Sequence, residues 1–325
     1  MGTSPILGNV FVTGGTGLLG SELVHQLLSS GECQKLVCLV RDHLPQSRFF
    51  SEEMNKGSVV IHGDITDQAL ITRILADYEI NTIFHLAAQT LVGQASRWPT
   101  DTFESNIKGT WTVLEAARLL NIQRVLVASS DKAYGNLHGN SYDEQHPLAG
   151  KYPYDVSKSC SDLIAQSYAH SFGLNVTITR CGNFFGPGDL NRSRLFPGTI
   201  LSLMNNERPV VRSDGKFIRD YIYVSDGAAA YRLLAKAMIS QNLAGQAFNF
   251  SYGLRMTVLD VIDQIQKQMG TDLAPLILNE ARNEIPVQCL DAKKAKEQLN
   301  WKPAFGFEAG VDKSIAWYKE TQPKI

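Results

Sequence analysis

"FVTGGTGLLGSELV", residues 11–24, runs from a short apolar segment through Gly14, Gly17 and Gly20 into an amphipathic stretch. A strand that turns directly into a helix needs residues without a Cβ at three points. One allows the tight reversal, one lets backbone approach a ligand, and one lets the helix pack on the strand. The free N–H groups and positive dipole end of such a helix then favour an anion. A glycine-rich turn without a ligand is the plainer alternative. Strand, loop and helix in this order are, however, the context that such a motif requires.

Outward from this turn the same rhythm repeats. Val10-Phe11-Val12, Leu36–Val40, Val59-Val60-Ile61, Thr82–Leu86, Val125–Ala128 and Val176–Thr179 are short apolar runs. Helical patterns separate several of them, at Leu18–Leu28, Ala69–Tyr78, Asn106–Leu120 and Tyr154–Phe172. Short β-branched runs with helical crossovers predict an α/β fold with a doubly wound parallel sheet. After about residue 181 the rhythm breaks in "CGNFFGPGDLNRSRLFPG". A further strand-like run, residues 247–250, is expected to return to the sheet. The expected organisation is a dinucleotide-type domain over 1–181 with that returning strand. A smaller, partly interleaved substrate domain would occupy mainly 182–325.

Composition narrows the function classes. The 325 residues are 44% hydrophobic, enough for a sizeable core, and 31 basic against 32 acidic residues leave a net charge of −1. That balance argues against nucleic-acid or membrane-surface partners. Five cysteines at 33, 38, 160, 181 and 289 form no CxxC or Cys/His spacing. Reduced thiols, a cytoplasmic location and no metal site are expected. No leader-like or membrane-spanning apolar run and no repeat is evident.

Three polar stretches carry candidate chemistry. The second strand ends in "CLVRDH", where Asp42 would suit the ribose hydroxyls of NAD and Arg41 the extra phosphate of NADP. "ASSDKAYGN", residues 128–136, places Ser130, Asp131, Lys132 and Tyr134 just beyond a strand end. For both Asp131 and Lys132 to reach one substrate, the chain must turn by residue 131, because neighbours on an extended strand face opposite ways. "KYPYDVSK" sets Tyr154 and Lys158 at i and i+4, on one helical face. An ammonium beside the phenol would lower its pKa, making Tyr154 a candidate base. A packing tyrosine with a solvated lysine is the plainer alternative.

In order along the chain, the glycine loop, "GDITD", "HLAAQT", "NIKGTWTVLEAAR", "SSDKAYG", "YPYDVSK", "RCGNFFGPGDLN" and "IRDYIYVSD" resemble the extended short-chain dehydrogenase/reductases that act on nucleotide sugars. The similarity extends to "LDAKKAKEQLNWKP" and is greatest to the CDP-glucose 4,6-dehydratase branch. The resemblance implies a Rossmann-type fold and NAD, or alternatively NADP, cradled by Thr16, Gly17, Leu18 and Leu19. Asp64 and Ile65 would meet the adenine, Ala87 and Ala88 would pass beneath the cofactor, and Lys158 would also hold the nicotinamide ribose. Asn183 and Arg219, with Asn191 and Arg194, are the expected substrate-binding residues.

The implied activity is dehydration of an NDP-hexose, with Tyr154, Ser130 and Lys158 at C4. Lys132 would act as the C5 base and Asp131 as the C6 acid. A 4-epimerase, or a sensor that has kept the fold without catalysis, are the alternatives. A homodimer is expected through a four-helix interface. The helices over 106–120 and 154–172 carry more apolar residues than one buried face requires, among them Trp111, Val113, Leu114, Ala116, Ala117, Leu163, Ile164 and Ala165.

Overall fold

The computed structural model describes residues 6–136, 141–280 and 285–321. Seven strands form the central sheet: β1 (Asn9–Thr13), β2 (Lys35–Val40), β3 (Val59–His62), β4 (Thr82–His85), β5 (Arg124–Ala128), β6 (Val176–Cys181) and β7 (Ala247–Phe250). Their order is β3-β2-β1-β4-β5-β6-β7, and every pairing is parallel. The order reverses direction between β1 and β4, with Thr13 registered against His85. Loops leaving these two strands diverge to opposite faces, and the crevice between them is where ligands bind in such sheets.

Burial on both faces explains why the strands read as unbroken apolar runs. Val10, Val12, Leu36, Cys38, Val40 and Leu126 pack into one layer. Their neighbours Phe11, Val37, Leu39, Val125 and Val127 pack into the other. Helix α1 (Leu18–Ser30) ends at Gly31, whose φ of 67° is left-handed. The opposite face carries α2 (Gln68–Asp77), α3 (Gly109–Leu119) and α4 (Pro153–Phe172).

The returning strand is present, paired with β6 from Ala247↔Ile178 to Phe250↔Cys181. It arrives with helix α5 (Val224–Ser240), which lies beside α1. Gln26 donates to the Ser225 carbonyl at 3.0 Å, and Arg232 and Lys236 both bind Glu32. Residues beyond 182 also build a separate core of Phe185, Phe196, Tyr221, Tyr223 and Tyr318, in which the rings of Phe185 and Phe196 stack at 4.3 Å. Three small pairings cross this region among the described residues: Asn183–Phe185 with Tyr221–Tyr223, Ile218–Arg219 with Met256–Thr257, and Val210–Val211 with Leu276–Ile277.

The helix expected over 106–120 differs at its start. Residues Glu104–Lys108 form a wide π turn before α3 begins at Gly109. The Asn106 carbonyl accepts from the hydroxyls of Thr110 at 2.6 Å and Ser161 at 2.7 Å, and such side-chain competition loosens a regular helix.

The apolar surplus on α3 and α4 is mostly consumed within the chain. Val113, Leu114, Ala116, Ala117 and Ala165 are fully buried against the sheet, and Ile164 is partly buried there. Only Trp111 and Leu163 of the expected interface remain outside, 44% and 53% exposed. A parallel sheet needs its covering helices to be apolar over a wide arc, and this accounts for the rest. Among the described residues, no helix is long and apolar enough to cross a membrane.

Candidate active site

The glycine turn is built as its sequence requires. Gly14 has a φ of +76°, and a Cβ there would lie 2.7 Å from the Ala87 nitrogen. A Cβ on Gly20 would lie 2.0 Å from the Gly14 carbonyl oxygen. The first glycine therefore lets the tip of β1 touch the loop after β4, and the third seats α1 on the turn. At Gly17, the N-cap of α1, the nearest such contact is 3.4 Å away, so that side of the turn is open. An open helix N-terminus walled by Thr16, Gly17, Leu18 and Leu19, with its positive dipole end, fits a dinucleotide pyrophosphate.

The groups expected to hold the adenosine half lie beside it. Arg41 and Asp42, just past β2, bind each other at 2.7 Å and are exposed. Burial would raise the Asp64 carboxyl. Hydrogen bonds from the Thr66 N–H and hydroxyl, with the charges of Arg41 and Lys108, outweigh burial and hold it below its usual range. Ile65 lies over Gly109, where a Cβ would come within 2.4 Å of its Cδ1. This close fit explains the glycine of "NIKGT".

At the crevice floor, His85 bridges the hydroxyls of Thr13 at 2.9 Å and Thr110 at 3.2 Å. Thr13 in turn accepts the Ala87 N–H. This chain fixes Ala87 just past the end of β4. Burial, with the charge of Lys158, pushes the His85 pKa down to about 3, so the ring is neutral.

The chain does turn by residue 131. Ser130 caps a 3-10 helix over Asp131–Tyr134, its hydroxyl accepting the Lys132 N–H at 3.2 Å and donating to Asp131 Oδ1 at 3.0 Å. Asp131 is buried, and its Oδ2 has no hydrogen-bond partner among the described residues. Lys132 donates through Nζ to Gln288 Oε1 at 2.7 Å. Tyr134 is fully buried in a structural network: it bonds Asn249 at 2.8 Å and Arg180 at 3.0 Å, and Arg180 pairs bidentately with Asp162.

Tyr154 and Lys158 share the buried face of α4, as their spacing predicts, but their electrostatics differ from the expectation. Lys158 Nζ donates to the Ala128 carbonyl at 2.7 Å. Burial lowers its pKa to about 8, against the opposing charges of Asp162 and Cys181. Burial and then the charge of Asp131 push the Tyr154 phenol up to about 12. A hydrogen bond with Ser130 and the charge of Arg194 act the other way. The phenol is therefore not depressed in this arrangement, because burial and the nearby Asp131 carboxylate outweigh the groups that would lower it.

The expected substrate residues are all held by bonds of their own. Asn183 donates to the Asp220 carbonyl at 3.0 Å. Arg219 is buried, lies over the Phe217 ring, and donates to the Ile218 carbonyl at 3.0 Å. Asn191 uses its Oδ1 to fold its own loop onto Ser193. Arg194 reaches from that loop to Asp189 and to Thr90 beyond β4, both at 3.4 Å.

Four residues of the site lie outside the motifs' expected roles. Asn106 pins the loop after β4 to α4 by bonds to Gln89 and Ser157. Its signal is an asparagine inside a helical pattern, where it is a poor former. Asp155 is raised by burial to about 6, with Lys132, Asp131 and the Tyr152 N–H as neighbours. An acid at the third position of a helix, reaching back to the N-cap, is a readable capping signal. His85 and Gln288 have no local signal.

Sheet order, crevice and glycine turn together define a nucleotide-cofactor-binding α/β protein. The chain belongs to the NAD dependent epimerase/dehydratase family, whose family model matches residues 10–250. It is similar to the CDP-glucose 4,6-dehydratase of Salmonella typhimurium, at 30% identity over 95% of this chain and 90% of that protein. It resembles the solved dTDP-glucose 4,6-dehydratase of Streptomyces venezuelae with NAD bound, at 27% identity and a TM-score of 0.88, covering 96% of this chain and 97% of the other. The UDP-glucose 4-epimerase of Thermotoga maritima, solved with UDP-glucose, is similar at 25% identity and a TM-score of 0.87, covering 96% and 99%.

Proposed function

We propose that this chain is an NDP-hexose 4,6-dehydratase, a hydro-lyase that converts a nucleotide-activated hexose to its 4-keto-6-deoxy form, with CDP-glucose the favoured substrate and NAD the cofactor. Similarity to named dehydratases supports the class. One observation carries the choice over an epimerase: the turn that bonds Ser130 to Asp131 also presents Lys132. Epimerisation at C4 needs a base and a cofactor there. It has no use for a further buried acid and an amine beside them.

Tyr154 takes the proton of the C4 hydroxyl, and Ser130 holds the same oxygen. Bound NAD would supply a transient store for the C4 hydride, released at C6 as Lys132 returns a proton to C5, so there is no net oxidation. A ketone at C4 acidifies the C5 proton, which Lys132 removes. Asp131 protonates the C6 hydroxyl, which departs as water. Lys158 orients the nicotinamide ribose, and Gly14, Thr16, Gly17, Leu18, Leu19 and Gly20 hold the pyrophosphate. Arg41, Asp42, Asp64, Ile65, Ala87 and Ala88 line the rest of the cofactor's path. Residues 1–181 with 247–250 serve the cofactor, and mainly 182–325 serve the sugar nucleotide, through Asn183, Asn191, Arg194 and Arg219. Two copies pair through the outer faces of α3 and α4.

The test is incubation with CDP-, dTDP- and UDP-glucose, read by mass spectrometry. A product lighter by one water, without stoichiometric consumption of cofactor, is expected, and most rapidly from CDP-glucose. An isomer of unchanged mass would make the chain an epimerase, and no reaction with any of them would favour a sensor.

A further inference from the structure

Gln288 comes to the site from far along the chain, 156 residues beyond Lys132. It is fully buried. Its backbone is set by the Ile218 carbonyl, which accepts the Gln288 N–H at 3.0 Å, and by the bridge between Ile218 and Val287. Tyr142 braces the other side, donating its N–H to the Cys289 carbonyl. The segment is therefore held rigidly next to Arg219 and delivers one amide to the Lys132 ammonium at 2.7 Å.

The two ends of that amide are treated unequally. Oε1 holds Lys132, whereas Nε2 is buried with no partner among the described residues. A buried donor left unpaired costs the fold free energy. Stability alone therefore does not account for this side chain, and the contact made by its oxygen does.

An amine that removes a proton must be aimed and must be able to lose its charge. A carboxylate in this place would aim Lys132 but hold it as an ammonium. An amide oxygen takes one N–H without adding a full negative charge. Charged neighbours are already close, since Lys132 and Asp131 both act on the Asp155 carboxyl of α4.

We propose that Gln288 is a positioning residue that orients Lys132 toward the C5 proton as a neutral acceptor. The proposal rests on the dehydratase assignment.

Gln288→Glu keeps the shape and adds a charge, and Gln288→Leu removes the acceptor. In both, water loss and solvent deuterium entry at C5 are expected to fall about 10- to 100-fold, the scale of a misplaced catalytic group. Absorbance of the reduced nicotinamide in a single turnover, which reports oxidation at C4, should change by less than the loss at C5. Acylation of the Lys132 amine by a small reagent, read by peptide mass without substrate, should slow in Gln288→Glu. Parent-like dehydration and parent-like Lys132 labelling in Gln288→Glu would overturn the proposal. So would a fall in C4 oxidation that matches the loss of dehydration. A parent chain that dehydrates no nucleotide sugar would remove the dehydratase assignment and this proposal with it, even if the labelling still showed Gln288 controlling the amine.

Discussion

The hydroxyl of Tyr134 donates to Oδ1 of Asn249 across 2.8 Å, joining the turn that carries Ser130 to the last strand of the sheet. Arg180 donates to the same hydroxyl, so one buried oxygen serves both as donor and as acceptor. Tyr134→Phe leaves two buried partners unsatisfied, and a loss of about 1–3 kcal/mol is expected. Urea unfolding of the parent and variant measures it. An unchanged midpoint would show that the network contributes nothing.

His85 gives stability a pH dependence with a defined sign. Its pKa is pushed down to about 3 in the folded chain, whereas an unfolded histidine titrates near about 6.5. The unfolded state therefore binds the extra proton first, and this contribution to stability falls as pH drops from about 6.5 toward 3. The slope from one such group approaches about 1.4 kcal/mol per pH unit. Unfolding free energies of the parent and His85→Gln, measured between these limits, should converge as pH falls. Parallel curves would mean that His85 titrates normally.

The glycines of the turn should separate fold from cofactor binding. Gly20→Ala places a methyl 2.0 Å from a backbone oxygen that cannot move aside, so a lowered melting temperature and loss of NAD binding are expected. Gly17→Ala meets nothing nearer than 3.4 Å, so it should melt close to the parent and yet bind NAD weakly, because its methyl occupies the pyrophosphate's side. Calorimetry with NAD beside thermal unfolding makes the comparison.

Tyr154→Phe is expected to lower kcat by about 10²–10⁴, the usual effect of losing a positioned proton acceptor. The phenol of the protein without added cofactor is pushed up to about 12. Ultraviolet titrations of the parent and variant should therefore coincide through neutral pH and separate only in strong base. Separation near neutrality would show that some other charge already activates the phenol.

Trp111 and Leu163 are the exposed remainder of the proposed pairing face. The parent should sediment as a dimer at micromolar concentration, and a double Trp111→Lys, Leu163→Lys variant as a monomer. A monomeric parent would end the dimer proposal.

Local spacing made much of this molecule readable. Strands buried on both faces, such as Leu36–Val40, announce themselves as unbroken apolar runs, and the glycine turn is readable from residues 11–24 alone. Tyr154 and Lys158 are one helical turn apart, so their shared face followed directly. What stayed hidden depends on distant partners. Nothing near Gln288 hints at Lys132, and nothing near His85 reveals that it spans Thr13 and Thr110. The burial of Tyr154 and its closeness to Asp131 depend on distant chain segments, so the expected lowering of its phenol was reversed by surroundings that spacing does not contain. The apolar excess of α3 and α4 was ambiguous for a related reason, since composition does not say which sheet face a helix must cover.

The seventh strand sets the moment at which this protein can complete its fold during synthesis. When the first 181 residues have left the ribosome, six parallel strands are available, but β6 ends the sheet with an unpaired backbone edge. Its partner, Ala247–Phe250, and the helix over Val224–Ser240 are still to be made. An exposed edge of this kind invites pairing with another nascent chain. Residues 1–181 therefore cannot be released early as a finished sheet, and a chain stopped after β6 should aggregate. Sealing the sheet therefore waits until residues 182–246, which separate its sixth and seventh strands, have been made.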